Sequence, residues 1–173
     1  IKVPDYVTLM GEYSFALCSS LKKADVGTGV TKIHQSAFRN CTSLVDMTIG
    51  KNVTGIENAV FAGCTSLPAI KIPQSTVTIK DSVFYNCSKL ATFVIEDRTK
   101  TLTMGSNGYS DEATTVTQYP LFSTCPLDSV YIGGPIAYNT TKAYGYSPFY
   151  FNSSLRTIYV NTTDVPEYLC YEC

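Results

Sequence analysis

The residues with the most conspicuous chemistry are the cysteines. Five of the seven, Cys18, Cys41, Cys64, Cys87 and Cys125, recur at one position of a repeating pattern, the first four exactly 23 residues apart. A thiol at fixed spacing can be a metal ligand, a disulfide partner or a small core residue. Metal sites gather several donors, and no histidine or second cysteine accompanies each of these five. Disulfides between neighbours need an oxidising compartment and a specific geometry, and five in a row cannot pair completely. The favoured reading is therefore a column of buried free thiols packing as small hydrophobes. Cys170 and Cys173 form a lone C-x-x-C, which fits a tail disulfide or half of a larger site.

Other reactive groups are sparse. His34 is the single histidine, and no G-x-S-x-G or other nucleophile-base motif accompanies it, so the chain is read as a non-enzyme. Asp111 with Glu112, and Glu96 with Asp97, are adjacent acidic pairs that could in principle coordinate Ca²⁺. Neither has the spacing of a calcium loop, so no metal and no cofactor is expected. Asn40, Asn52, Asn86, Asn139, Asn152 and Asn161 each begin an N-x-S/T sequon, which is read as turn chemistry of the repeat before glycosylation. A net charge of −1 with pI near 5.8 and no run of basic residues argue against a nucleic-acid partner. No apolar stretch approaches the length of a membrane span.

The elements that carry these residues come from the repeat itself. Val30 to Asn52, VTKIHQSAFRNCTSLVDMTIGKN, is matched slot for slot by Val53 to Ser75, VTGIENAVFAGCTSLPAIKIPQS. Counting the first residue of a unit as zero, apolar residues fall at 0, 3, 8, 11, 14, 17 and 19. The pattern extends back through Phe15, Cys18 and Leu21 and forward through Phe84, Cys87 and Leu90. Four consecutive units on one 23-residue period are the signature of stacked repeats, in which no unit buries its apolar side alone. Positions 16 to 19 alternate polar with apolar residues, as a half-buried strand does. Positions 3 to 11 are read as a turn followed by a short 3-10 or helical piece.

The pattern I-x-x-x-A-F-x-x-C-x-x-L-x-x-I-x-I, carried by Ile33, Ala37, Phe38, Cys41, Leu44, Met47 and Ile49, resembles the BspA-like leucine-rich repeat. The resemblance covers nearly the whole chain. It implies a repeat solenoid of the α/β type, a right-handed curved superhelix with a parallel sheet on its concave face. It is also what points to a cell-surface location, extracellular and typically bacterial, and to adhesion. The same pattern occurs in some protozoan surface proteins.

The chain is expected to be one solenoid over 1–173. A partial unit at 1–6 precedes units at 7–29, 30–52, 53–75 and 76–98. A fifth spans 99–135 with an insertion at 103–121, a sixth spans 136–163 with a tyrosine-rich insertion, and 164–173 is a tail or cap. Ile1, Val3 and Pro4 match Ile70, Ile72 and Pro73, so the sequence opens partway through a unit, as an excerpt would. Thr99 and Leu102 are placed at positions 0 and 3 of the fifth unit, with its Phe slot at Phe122. Thr101 to Met104 and Thr115 to Tyr119 are read as flanks of a hairpin-like excursion. About seven parallel strands are expected, near residues 1–3, 24–26, 47–49, 70–72, 93–95, 130–132 and 158–160.

Strand alternation leaves position 18 facing outward, as Asp25, Thr48, Lys71, Val94, Tyr131 and Tyr159, with Asp46 in the neighbouring position-16 row. These seven form the candidate partner-binding face, mixed in charge at the front and aromatic at the back. Exposed aromatics on a rigid surface suit interface anchors. The expected function is a non-catalytic cell-surface adhesion module presenting its concave sheet and its two inserted loops to a host or extracellular-matrix protein, with carbohydrate as a minor variant. A structural spacer within a longer surface protein is the alternative.

Overall fold

The computed structural model describes residues 1–105, 121–122, 124–138, 148–149, 152–163, 165 and 169. Eleven short strands run β1 (Lys23–Asp25), β2 (Lys32–Ile33), β3 (Asp46–Thr48), β4 (Gly55–Ile56), β5 (Ala69–Ile72), β6 (Thr78–Ile79), β7 (Thr92–Ile95), β8 (Leu102–Met104), β9 (Ser129–Ile132), β10 (Ile136–Ala137) and β11 (Thr157–Val160). All pairings are parallel, and strands pair with their counterparts in the next unit, β3 with β5 excepted. The chain is thus a parallel β-solenoid with the core between its sides. On the face where seven strands are expected, the described residues form six, β1, β3, β5, β7, β9 and β11. The opening residues contribute an isolated bridge, Lys2 to Asp25.

The core is a set of columns, one per slot. Phe15, Phe38, Phe61, Phe84, Phe122 and Phe149 stack with ring centroids 5.2 to 5.8 Å apart and planes within 16° of parallel. Phe93, on the strand side, meets Phe84 and Phe122 edge-on, completing an offset packing that the ring quadrupoles favour. Phe122 does continue the column across the insertion, and its neighbour Leu121 accepts a backbone bond from Phe84 N–H.

The expected helical piece is absent: no helix occurs among the described residues. The backbone explains why. Position 6 (Tyr13, Ser36, Ala59, Ser82) and position 10 (Leu17, Asn40, Gly63, Asn86, Thr124) have φ between 55° and 77°, a left-handed conformation that ends any right-handed helix. Alternation turns successive N–H groups in opposite directions. Ser36, Phe38 and Asn40 donate to the carbonyls of Asn58, Val60 and Ala62 in the next unit, while Ala37, Arg39 and Cys41 donate within their own. Position 2 and 3 residues form not a turn but a second ladder, ordered β10-β8-β6-β4-β2.

Two further features depart from the expected register. Ile79 pairs with Met104 and Thr78 with Thr103, so Met104, not Leu102, continues the column of Ile33, Ile56 and Ile79. The flank at 101–104 is therefore a rung of the second ladder and not an arm of a hairpin; residues 115–119 lie outside the described residues. The slip arises because the corner from Ile95 to Met104 takes nine residues where that from Ile72 to Ile79 takes seven. The other departure is a break in the long-strand face, which separates β1-β3 from β5-β7-β9-β11. Val45, Ala91, Asp128 and Arg156 each donate a backbone N–H to the preceding unit just before their strands. The equivalent residue of β5 is Pro68, which has no N–H to give.

The left-handed positions make a testable demand. Asn40→Gly should leave stability within a few tenths of a kcal/mol, whereas the β-branched Asn40→Val should lower it by roughly 1–2 kcal/mol, read from urea-unfolding midpoints.

Candidate functional site

The ladders settle which chemistry the repeated cysteines perform. Each of the four buried thiols donates its S–H to the carbonyl of the preceding unit's Phe: Cys41 to Phe15 at 3.1 Å, Cys64 to Phe38 at 3.2 Å, Cys87 to Phe61 at 3.1 Å and Cys125 to Phe84 at 2.9 Å. That carbonyl already accepts its own unit's cysteine N–H, so the thiol serves its second lone pair. All five cysteines are free, Cys18 exposed and the other four buried. Burial pushes the Cys41 thiol up to about 11 and that of Cys64 to about 12, and Cys87, set against the Cys125 thiol and also desolvated, lies well above the ordinary range. These are protonated donors, not nucleophiles. Cys170 and Cys173 lie outside the described residues.

The sequons at Asn40 and Asn86 have the same kind of origin. Asparagine suits the left-handed position 10, and two residues on, a hydroxyl bonds the preceding unit: Thr42 to Ser19 O at 3.5 Å, Thr65 to Thr42 O at 3.3 Å and Ser88 to Thr65 O at 3.5 Å. Asn52 donates to Thr28 O at 2.8 Å and Asn161 to Asp97 Oδ1 at 3.0 Å, while Asn152 is buried in the cysteine slot and donates to Phe149 O at 3.1 Å. Asn139 lies outside the described residues.

The outward row on the long strands is assembled as its alternation requires. Asp25 aligns with Thr48, and Lys71, Val94, Tyr131 and Tyr159 follow one another in register. Asp46 stands in the adjacent row opposite Lys23 and pairs with it at 2.6 Å. Lys71 pairs with Glu96 at 2.7 Å, and this bond, with a backbone N–H from Gln74, draws the Glu96 pKa down. The front of the row is thus largely self-neutralised. Toward the back, Tyr131 donates its hydroxyl to Asp97 Oδ1 at 2.6 Å, which raises the phenol pKa and, with Asn161, lowers that of Asp97. Tyr131 is half-buried and held, whereas Tyr159 is 61% exposed and Val160 beside it 37%.

Glu96 and Asp97 therefore serve Lys71, Gln74, Tyr131 and Asn161. No group of three His, Cys, Asp or Glu side chains suited to a metal occurs among the described residues, and Asp111 and Glu112 lie outside them. Among the described residues no helix is long and apolar enough to cross a membrane.

A residue that sequence reasoning passed over is Arg98. It occupies the unit-ending position held elsewhere by Gly29, Asn52 and Ser75, and that change of type was the available signal. Its guanidinium is folded inward, donating from Nε to Lys100 O at 2.9 Å and from Nη2 to Gln74 O at 3.1 Å and to Thr76 O. Gly134 packs directly on it, and a Cβ there would collide with the Arg98 backbone and Cγ.

A parallel β-solenoid with an inward phenylalanine stack, a thiol column and an outward strand row is a repeat protein of the leucine-rich class. Residues 1–114 match the BspA type leucine rich repeat region in six copies, and the chain belongs to that family. Among solved structures it resembles a leucine rich cell surface protein from Faecalibacterium prausnitzii A2-165, at 25% identity and a TM-score of 0.67, over 94% of this chain and 38% of that one. It also shares the fold of a leucine rich repeat protein from T. pallidum, at 21% identity and a TM-score of 0.60, over 94% of this chain and 64% of that one. The chain spans less than two thirds of either relative. A comparison with curated proteins finds no match.

Two outcomes follow for the thiol column. In the native protein a thiol reagent should modify Cys18 among the five repeat cysteines and spare the other four until the chain is unfolded. Because the Cys64 pKa is raised in the folded state, its contribution to stability is complete below the ordinary thiol pKa and is lost as pH rises toward about 12. Cys64→Ser keeps a donor and removes the titration, so the wild-type's stability relative to C64S should decline between pH 9 and pH 12 in denaturant melts.

Proposed function

We propose that this chain is a non-catalytic binding module of a bacterial cell-surface protein, presenting its long-strand face to a host or extracellular-matrix protein. The observation that carries this reading is the back of the outward row. Val94, Tyr131 and Tyr159 stand side by side on hydrogen-bonded strands, with Tyr159 and Val160 exposed. Strands β7 and β9 are held on both edges by parallel pairing and β11 on one, so the backbone loses little freedom on binding and aromatic contact area is gained at low entropic cost. The tie from Tyr131 to Asp97 fixes the ring before any partner arrives. Asp25, Asp46, Thr48 and Lys71 would form the polar margin of that face, and in the concave, right-handed geometry typical of the family they would line its front. A carbohydrate ligand is a minor variant resting on the same tyrosines. The cell-surface assignment is supported by the family and by the F. prausnitzii relative.

A second reading, a structural spacer in a longer surface protein, draws on the front of the row, where Lys23 with Asp46 and Lys71 with Glu96 satisfy one another. Exposed pairs of this kind contribute little to stability or to recognition.

Biolayer interferometry against purified extracellular-matrix proteins separates the two. On the binding reading one of them is captured, and Tyr159→Ala weakens the complex at least tenfold, while Tyr131→Phe, which keeps the ring, weakens it less. Capture unchanged by Tyr159→Ala together with Tyr131→Ala would move the site off this face, and no capture at all would favour the spacer.

A further inference from the structure

The lengthened corner between β7 and β8 forms a cavity of about 270 Å³ lined by Lys51, Gln74, Ser75, Arg98, Thr99 and Lys100. Three of its six residues are cationic and none is acidic. Arg98 is 9% exposed, yet it forms no salt bridge with a carboxylate among the described residues, and its Nη1 is covered and lacks a hydrogen-bond partner. An arginine keeps its charge when buried, and a buried charge is costly unless it is paired. Desolvation accordingly pulls the Arg98 pKa down. Its Nε and Nη2 are committed to three carbonyls, which fixes the plane of the guanidinium and leaves one edge without an acceptor.

The nearby carboxylates are occupied elsewhere. Glu96 serves Lys71 and the Gln74 N–H, Asp97 serves Tyr131 and Asn161, and Asp5, which feels Lys51, accepts from the Thr28 N–H. The corner is therefore a concentration of positive charge with the Thr99 hydroxyl on its wall, while the Ser75 hydroxyl donates to Val53 O at 2.8 Å. Its volume lies just below the roughly 300–1,000 Å³ of pockets that enclose drug-sized ligands, which suits one small charged group.

We propose that this corner binds a tetrahedral oxyanion of the sulfate type, free or carried as a sulfate ester on a sugar. Two lysines and an arginine around one corner match a tetrahedral group, whose oxygens point in three directions, better than a planar carboxylate. Arg98 lies beneath this corner with its Nη1 covered, so the anion would sit over Lys51, Thr99 and Lys100 and offset the unpaired Arg98 charge through space. This site is distinct from the tyrosine face and does not depend on it.

Amide NMR at constant ionic strength tests the assignment. Sodium sulfate should shift the amides of Gln74, Ser75, Thr99 and Lys100 in a saturable way that sodium chloride does not reproduce. Lys51 and Lys100 are exposed, so Lys51→Gln with Lys100→Gln should leave the rest of the spectrum in place and weaken sulfate binding at least tenfold. Galactose 6-sulfate, as a parallel arm, should bind more tightly than inorganic sulfate if the sugar-borne ester is the source, and equally if the free ion is. A linear, non-saturating response, equal binding in the double variant, or acetate binding as tightly as sulfate would each overturn the proposal.

Discussion

Everything in this chain depends on backbone groups finding their partners one unit away. A 23-residue turn of the solenoid has no helix to satisfy its own N–H and C=O groups, so three of its sides hand them to the neighbouring turn. Long strands do so through parallel pairing, short strands through a second ladder, and the turn side through left-handed residues that alternate with right-handed ones. Side chains follow the same rule. The thiol of each buried repeat cysteine and the hydroxyl at position 12 bond carbonyls of the preceding turn. Threonine can even take a core slot, since Thr76 is fully buried with its hydroxyl on Val53 O at 2.9 Å.

This dependence explains what was legible in the sequence. Burial repeats in register, so the columns of Phe, Cys and Leu, the positions of all the long strands but the one expected at residues 1–3, and the outward row could be read from apolar spacing alone. Conformation could not. An apolar residue every three to five positions fits a helical turn as well as it fits a ladder of alternating handedness, and only the recurrence of Asn, Ser and Gly at positions 6 and 10 hinted at the latter. Leu102 was misplaced for a related reason. Spacing arguments assume a constant corner, and the two added residues before Met104 are invisible when Leu102 supplies an equally plausible side chain. For the candidate face, the row could be read but not its pairing. Nothing in the spacing shows that Tyr131 is tied to Asp97 or Lys71 to Glu96, because those contacts depend on where the strand ends bend.

The irregular positions carry the distinctive surface. Regular turns present short polar residues that largely neutralise one another, whereas the back of the row ends in an exposed tyrosine and the lengthened corner draws an arginine inside. Departures from the period cost the stack some of its shared hydrogen bonding, which is reason to look for a use at each of them.

Pro68 is such a departure with a mechanical consequence. In a stack of this type stability is approximately a sum over turns and their interfaces, and at one interface the long-strand ladder is missing while the other two sides continue. The molecule is accordingly not uniformly stiff. It has a seam between its second and third long strands, where two ladders instead of three join neighbouring turns.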